Sequence, residues 1–111
     1  GTDTAAYRQR FLGLVDGLRG KGLRAPIFVT RATFCEPDSP WVRENPVGIA
    51  LDQMPDPTKG IYAGVDTDRL ISAEDRMDGC HFGGRGVAIF TDAMKDVILA
   101  WDGANREQKG Q

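Results

Sequence analysis

Apolar side chains recur at helical spacing near the start of the chain. Tyr7, Phe11, Leu14, Val15 and Leu18 share one face, predicting a helix with Thr2, Asp3 or Thr4 as its N-cap and Gly20 and Gly22 at its end. The pattern then changes. Pro26 leads into the continuous apolar run Ile27-Phe28-Val29-Thr30, which predicts a strand buried on both faces, as in a parallel sheet. Residues 35–40 read as a loop, with Ser39 and Pro40 suited to open a helix that reaches about Met54. Pro46 must kink or restart that helix, and Asn45 offers a second cap. Residues 56–60 form a turn, and 61–65 a second strand. From 66 to 86 the chain is polar, glycine-rich and without period, a long connection of the kind that often carries function. A last helix is predicted from about Gly84 to Trp101, with Val87, Phe90, Met94, Val97 and Trp101 on one face. Residues 1–103 are expected to form one folded unit, and 104–111 a frayed tail.

The order helix, strand, helix, strand, loop, helix describes α/β layering around a parallel sheet. Two strands fall short of the roughly five usual in a sheet, and an apolar edge would stay open, so further strands are expected from elsewhere.

Composition narrows the function. The chain has 111 residues, 41% hydrophobic and 27% charged, as in one soluble globular domain. A net charge of −2 with interspersed signs leaves no electrostatic footprint for nucleic acid or an anionic membrane. The longest apolar run, Val97 to Trp101, is far short of a membrane span. Cys35 and Cys80 match neither a zinc site nor a disulfide-dense scaffold, and can be one bridge or two free thiols. His81 is the only histidine, so its surroundings decide most of the available acid/base chemistry.

Asp78 and His81 stand three apart at the end of the long loop. An imidazole that deprotonates a hydroxyl needs a carboxylate at its other nitrogen, to fix the tautomer and stabilise the imidazolium. A loop spacing of three can supply that contact locally, and such loops gather at the strand ends of open α/β sheets. D-x-x-H alone is a common pattern, and a histidine that caps or packs at the base of the last helix is its plain alternative.

The segment Arg76-Met77-Asp78-Gly79-Cys80-His81-Phe82, followed by Gly86 and an amphipathic helix, resembles the final block of SGNH (GDSL-like) hydrolases. The likeness is to the sialate O-acetylesterase and acetylxylan esterase branch. Gly1-Thr2-Asp3-Thr4 before Tyr7 resembles its Q-G-E-S-D segment, and residues 27–32 its following strand. Val42-Arg43-Glu44 resembles its v-R-e-A-Q helix, with Asn45-Pro46 where Ala-Gln is usual. Asp66-Thr67-Asp68 resembles the segment ahead of the D-x-x-H block. The resemblance spans residues 1–100 and is more specific in its later blocks.

It implies a three-layer α/β/α sandwich with a flavodoxin-like parallel sheet, of which this chain is the C-terminal portion. It also implies ester hydrolysis, with carbohydrate O-deacetylation the expected reaction. His81 would be the base and Asp78 its orienting carboxylate, with no metal or organic cofactor. The family's nucleophile is a serine in a G-D-S motif. Ser39 and Ser72, the only serines present, lie in other contexts, so the nucleophile is expected upstream or on another chain. The isolated chain is then expected to be inactive. Expected partners are an acetylated carbohydrate or other small ester, and the N-terminal half of the fold, without nucleic acid or membrane. A reading from another class is a non-catalytic fragment that packs its open sheet edge on another chain. An asparaginase-like amidohydrolase, suggested by Gly1-Thr2-Asp3-Thr4, lacks the histidine that precedes this segment in that family.

Other features have simpler accounts. Asp66 and Asp68 suit a turn better than a metal site, and 83–86 lacks the lysine and hydroxyl of a phosphate loop. Asp3 and Trp41 are candidates for the substrate side, whereas Trp101 falls on the apolar helix face. In a parallel sheet Cys35 and Cys80 both follow strands, at the carboxyl end, where a disulfide is within reach. Two unpaired thiols in a reducing cytosol are the alternative. Export is common among esterases acting on external polysaccharide, which favours the bridge and an extracytoplasmic location.

Overall fold

The structure is a computed structural model that describes residues 3–32, Cys35 and 44–109. It is a mixed α/β fold with a two-stranded parallel sheet and four α-helices among the described residues. Helix α1 spans Thr4–Gly20 and is capped by Asp3, whose Oδ1 accepts from Ala6 N at 2.7 Å. It stops at Lys21, and Gly22 takes a positive φ of 94° that few other residues tolerate. Only part of the predicted apolar face is covered. Val15 is buried and Tyr7 and Phe11 are half-buried, but Leu14 is 61% exposed and Leu18 also faces water.

Strand β1 (Ile27–Arg31) pairs in parallel with β2 (Ile61–Asp66), Ile27 opposite Ile61 and Val29 opposite Ala63. The register slips by one residue before Arg31 meets Asp66. Gly64 sits at the slip, where a Cβ would lie 2.8 Å from Thr30 Oγ1 and 3.1 Å from Val29 O, so the bulge needs glycine. The expectation that β1 is buried on both faces is corrected. Ile27 to Thr30 are half-buried, and among the described residues β1 has a neighbour on one side only.

Helix α2 is Pro46–Asp52, with Pro46 in its first turn and capped by Asn45 Oδ1, which accepts from Val47 N and Gly48 N. The predicted opening of this helix at Ser39-Pro40 lies outside the described residues. The stretch after β2 is also more ordered than its missing period suggests. It holds a short helix α3 (Thr67–Leu70), capped by Asp66, and a 3-10 turn (Ala73–Asp75). Both are too short to show hydrophobic periodicity.

The last helix, α4, runs Gly84–Lys109 and so continues through most of the predicted frayed tail. Gly103 does not stop it. Asn105 Nδ2 donates to Trp101 O at 2.9 Å, and Arg106 pairs with Asp102 one turn earlier at 2.9 Å. Trp101 packs edge-on against Phe28 and Tyr62 of the sheet, with centroids at 6.1 and 5.9 Å. No helix among the described residues is long and apolar enough to cross a membrane.

The carboxyl ends of the strands are tied together by buried polar groups. Thr67 Oγ1 donates to Arg31 O at 2.8 Å, and Arg31 pairs with Asp52 at 2.7 Å and with buried Asp68 at 3.3 Å. The Arg31 guanidinium lies over Gly48, where a Cβ would come within 2.5 Å of it. Strand ends, α2 and α3 therefore share one rigid junction.

Candidate active site

The loop that carries Asp78 and His81 begins on that junction. Arg76 and Phe82 form an isolated antiparallel bridge, and Met77 N donates to His81 O at 2.8 Å, which closes the loop into a narrow neck. Gly79 makes the turn at φ 77°. Asp78 organises the interior of the turn. Its Oδ1 accepts from Cys80 N at 3.0 Å and His81 N at 2.7 Å, and its Oδ2 lies 2.6 Å from His81 Nδ1. One carboxylate therefore shapes the loop with one oxygen and holds the imidazole with the other.

These contacts favour the ionised carboxylate and bring the Asp78 pKa down from 3.8 to about 2. The His81 amide contributes most, then the His81 ring, then the Cys80 amide. An ionised Asp78 can only accept, so the hydrogen between it and His81 belongs to Nδ1. A neutral ring then has its lone pair on Nε2, the arrangement a general base requires. The pair is open to water, with side-chain exposures of 73% for His81 and 52% for Asp78.

Arg76 supports the loop from below. It is 9% exposed, donates to Cys80 O, Thr67 O and Ile71 O, and stands over the Phe82 ring with Cζ 5.2 Å from the centroid. Phe82 in turn meets Phe90 of α4 at 5.9 Å. On the helix side, Gly83 N donates to Asp75 O and Gly86 packs so closely that a Cβ would lie 2.5 Å from the same oxygen. The 83–86 segment thus works as a tight helix entry.

Cys35 and Cys80 are joined by a disulfide with their Cα atoms 4.1 Å apart, and the described residues hold no free cysteine. The bridge ties the segment after β1 to the loop between Asp78 and His81. Beside it lies a cavity of about 360 Å³ lined by Ala32 and Cys35 after β1, Thr67 after β2, and Arg76, Cys80, His81 and Phe82. His81 is thereby at the carboxyl end of the sheet, where open α/β sheets hold their ligands.

The other candidates fall elsewhere. The Asp3 carboxylate caps α1 and makes no hydrogen bond or ion pair with Asp78 or His81. Trp41 and Ser39 lie outside the described residues. Ser72 Oγ donates to Asp75, and Thr67 Oγ1 to Arg31 O, so neither hydroxyl is bonded to His81. Asp66 and Asp68 point to different partners, Arg69 and Arg31. Among the described residues, no group of three or more His, Cys, Asp and Glu converges as a metal ion requires. Sequence reasoning overlooked Arg76 and Thr67 as parts of the cavity. Both stand inside segments that carry the resemblance, but nothing in those segments marks either side chain as one that lines a cavity.

No known protein family, curated protein or solved structure matches the chain.

Proposed function

We propose that this chain carries the base and its orienting carboxylate for a serine esterase of the SGNH type, built as a three-layer α/β/α sandwich. The single observation that carries the reading is the 2.6 Å contact between His81 Nδ1 and an ionised Asp78, at the lip of a cavity at the strand ends.

In the proposed reaction a serine hydroxyl contributed from outside residues 3–109 attacks the acetyl carbonyl while its proton passes to His81 Nε2. The tetrahedral intermediate collapses, the acyl-enzyme forms, and Nε2 returns the proton to the departing sugar oxygen. Water then attacks the acyl-enzyme through the same base, releasing acetate and restoring the serine. Asp78 holds the Nδ1–H tautomer and stabilises the imidazolium in both halves. The N-terminal half of the sheet is the partner, contributing the serine and the oxyanion donors. The disulfide supports an extracytoplasmic, oxidising location.

Turnover of p-nitrophenyl acetate tests the assignment. The purified chain alone is expected to be inactive. With its complementary half restored, His81→Ala is expected to cost several orders of magnitude and Asp78→Ala somewhat less. Activity of the chain alone that is lost on His81→Ala would refute an external serine. A complete enzyme indifferent to His81→Ala would refute the base.

A second reading, a non-catalytic module that packs on another chain, is favoured by one feature. Among the described residues each strand has a single neighbour, and Leu14, Leu99 and Met77 are 61%, 59% and 75% exposed. The mass of the native material, compared with the mass of this chain, separates a stable partner from a free fragment.

A further inference from the structure

The peptide joining Cys80 to His81 is gripped at both ends by opposite charges. Its carbonyl accepts from Arg76 Nη1 at 2.9 Å, and its N–H donates to Asp78 Oδ1 at 2.7 Å. The same carboxylate holds His81 Nδ1 through Oδ2. Guanidinium, peptide, carboxylate and imidazole therefore form one continuous chain. A cation at a peptide carbonyl strengthens the donor at the other end, and hydrogen bonds in series reinforce one another.

Arg76 is held firmly enough to exert that effect. Nη2 donates to Thr67 O at 3.0 Å and Ile71 O at 3.2 Å, Nε donates to Ile71 O at 3.3 Å, and the Phe82 ring packs against the guanidinium. No carboxylate of the described residues forms an ion pair with it. Burying a cation without such a pair is costly. The negative charge on which it acts is Asp78, one peptide away.

We propose that Arg76 is a positioning residue for the Asp78–His81 pair, acting through the Cys80–His81 peptide to keep the carboxylate oriented and the ring in its Nδ1–H tautomer. Its catalytic meaning rests on the esterase reading, but the effect on the pair belongs to the chain itself. Arg76 would set the geometry of the base without touching substrate.

The single histidine makes the test direct, because His81 gives the only imidazole ¹⁵N signals in the 111-residue chain. Tautomer populations are read from those signals at a pH where the ring is neutral, chosen from the titration of the same sample. Wild type is expected to hold mainly the Nδ1–H form, and Asp78→Asn to lose that preference. Arg76→Met is expected to move the population most of the way to the Asp78→Asn value, and Arg76→Lys to restore part of it. Folding of each variant is checked by its remaining amide spectrum.

A folded Arg76→Met with the wild-type tautomer population would overturn the proposal while leaving the pair intact. An Asp78→Asn variant with unchanged tautomers would overturn both the proposal and the pair. If Arg76→Met does not fold, the wild-type Arg76 side chain decides. Separate, slowly exchanging η-proton signals, with a coupling from Nη1 to the Cys80 carbonyl carbon, support the clamp. Averaged η protons without that coupling overturn it.

Discussion

Replacing Cys35 and Cys80 together by alanine is expected to destabilise the chain by about 4 kcal/mol. The bond joins positions 45 apart, and closing a loop of that length removes roughly 13 cal/mol/K from the unfolded chain, about 4 kcal/mol at 25 °C. Domains of this size have a total stability of roughly 5–15 kcal/mol, so the loss is a large fraction of the whole. With each kcal/mol worth roughly 4–8 °C near 100 residues, Tm should fall by roughly 15–30 °C. Urea unfolding followed by far-ultraviolet circular dichroism is the assay. Because the bond restrains the unfolded ensemble, the variant should also show a larger m-value as its unfolded chain expands. A double variant within about 1 kcal/mol of the parent, with the same m-value, would refute the loop-entropy reasoning. Two free thiols titrated in non-reduced native protein would refute the bond itself, and with it the argument for an oxidising compartment.

Gly86→Ala should destabilise by roughly 1–3 kcal/mol in the same assay, since its Cβ would stand 2.5 Å from Asp75 O. Gly13→Ala, inside α1 with no atom within 4 Å of the added Cβ, should instead stabilise by roughly 0.5–1 kcal/mol, and the opposite ranking would refute the packing described. The pH dependence of the loop follows from Asp78, whose folded pKa of about 2 lies below its usual 3.8. A depressed folded value stabilises fully above the unfolded pKa and is lost as pH falls through the folded one, so the loop should persist at pH 5 and loosen between roughly pH 4 and 2. The Asp78 carboxyl ¹³C shift and the His81 amide signal report it, and a midpoint near 3.8 would show that these hydrogen bonds do not form.

The elements that bury apolar surface were legible in the sequence, because periodicity reports burial. The run from Ile27 and the one from Ile61 do form strands in parallel, and a helix does begin at Asn45-Pro46. What the pattern could not give was which helix face finds a neighbour. On α1 the covered side runs through Tyr7, Phe11 and Val15, while Leu14 and Leu18 turn to water. The end of α4 was missed because Gly103 reads as a stop, whereas the Trp101–Asn105 bond and the Asp102–Arg106 pair continue the helix. Of the site, Asp78 and His81 were legible since their contact is local and fixed by spacing. The junction of Thr67 with Arg31 joins segments 36 residues apart, which no local pattern encodes, and the Arg76 contacts, though only 4–9 residues apart, run to backbone carbonyls that side-chain patterning does not report.

The measurement that tests the central claim most directly uses a serine-directed fluorophosphonate probe on the native assembly containing this chain. The account predicts covalent labelling at a serine other than Ser39 and Ser72, slowed by orders of magnitude in His81→Ala and less in Asp78→Ala. Labelling that proceeds at the parental rate in His81→Ala, or an assembly that takes up no probe while folded, would contradict it.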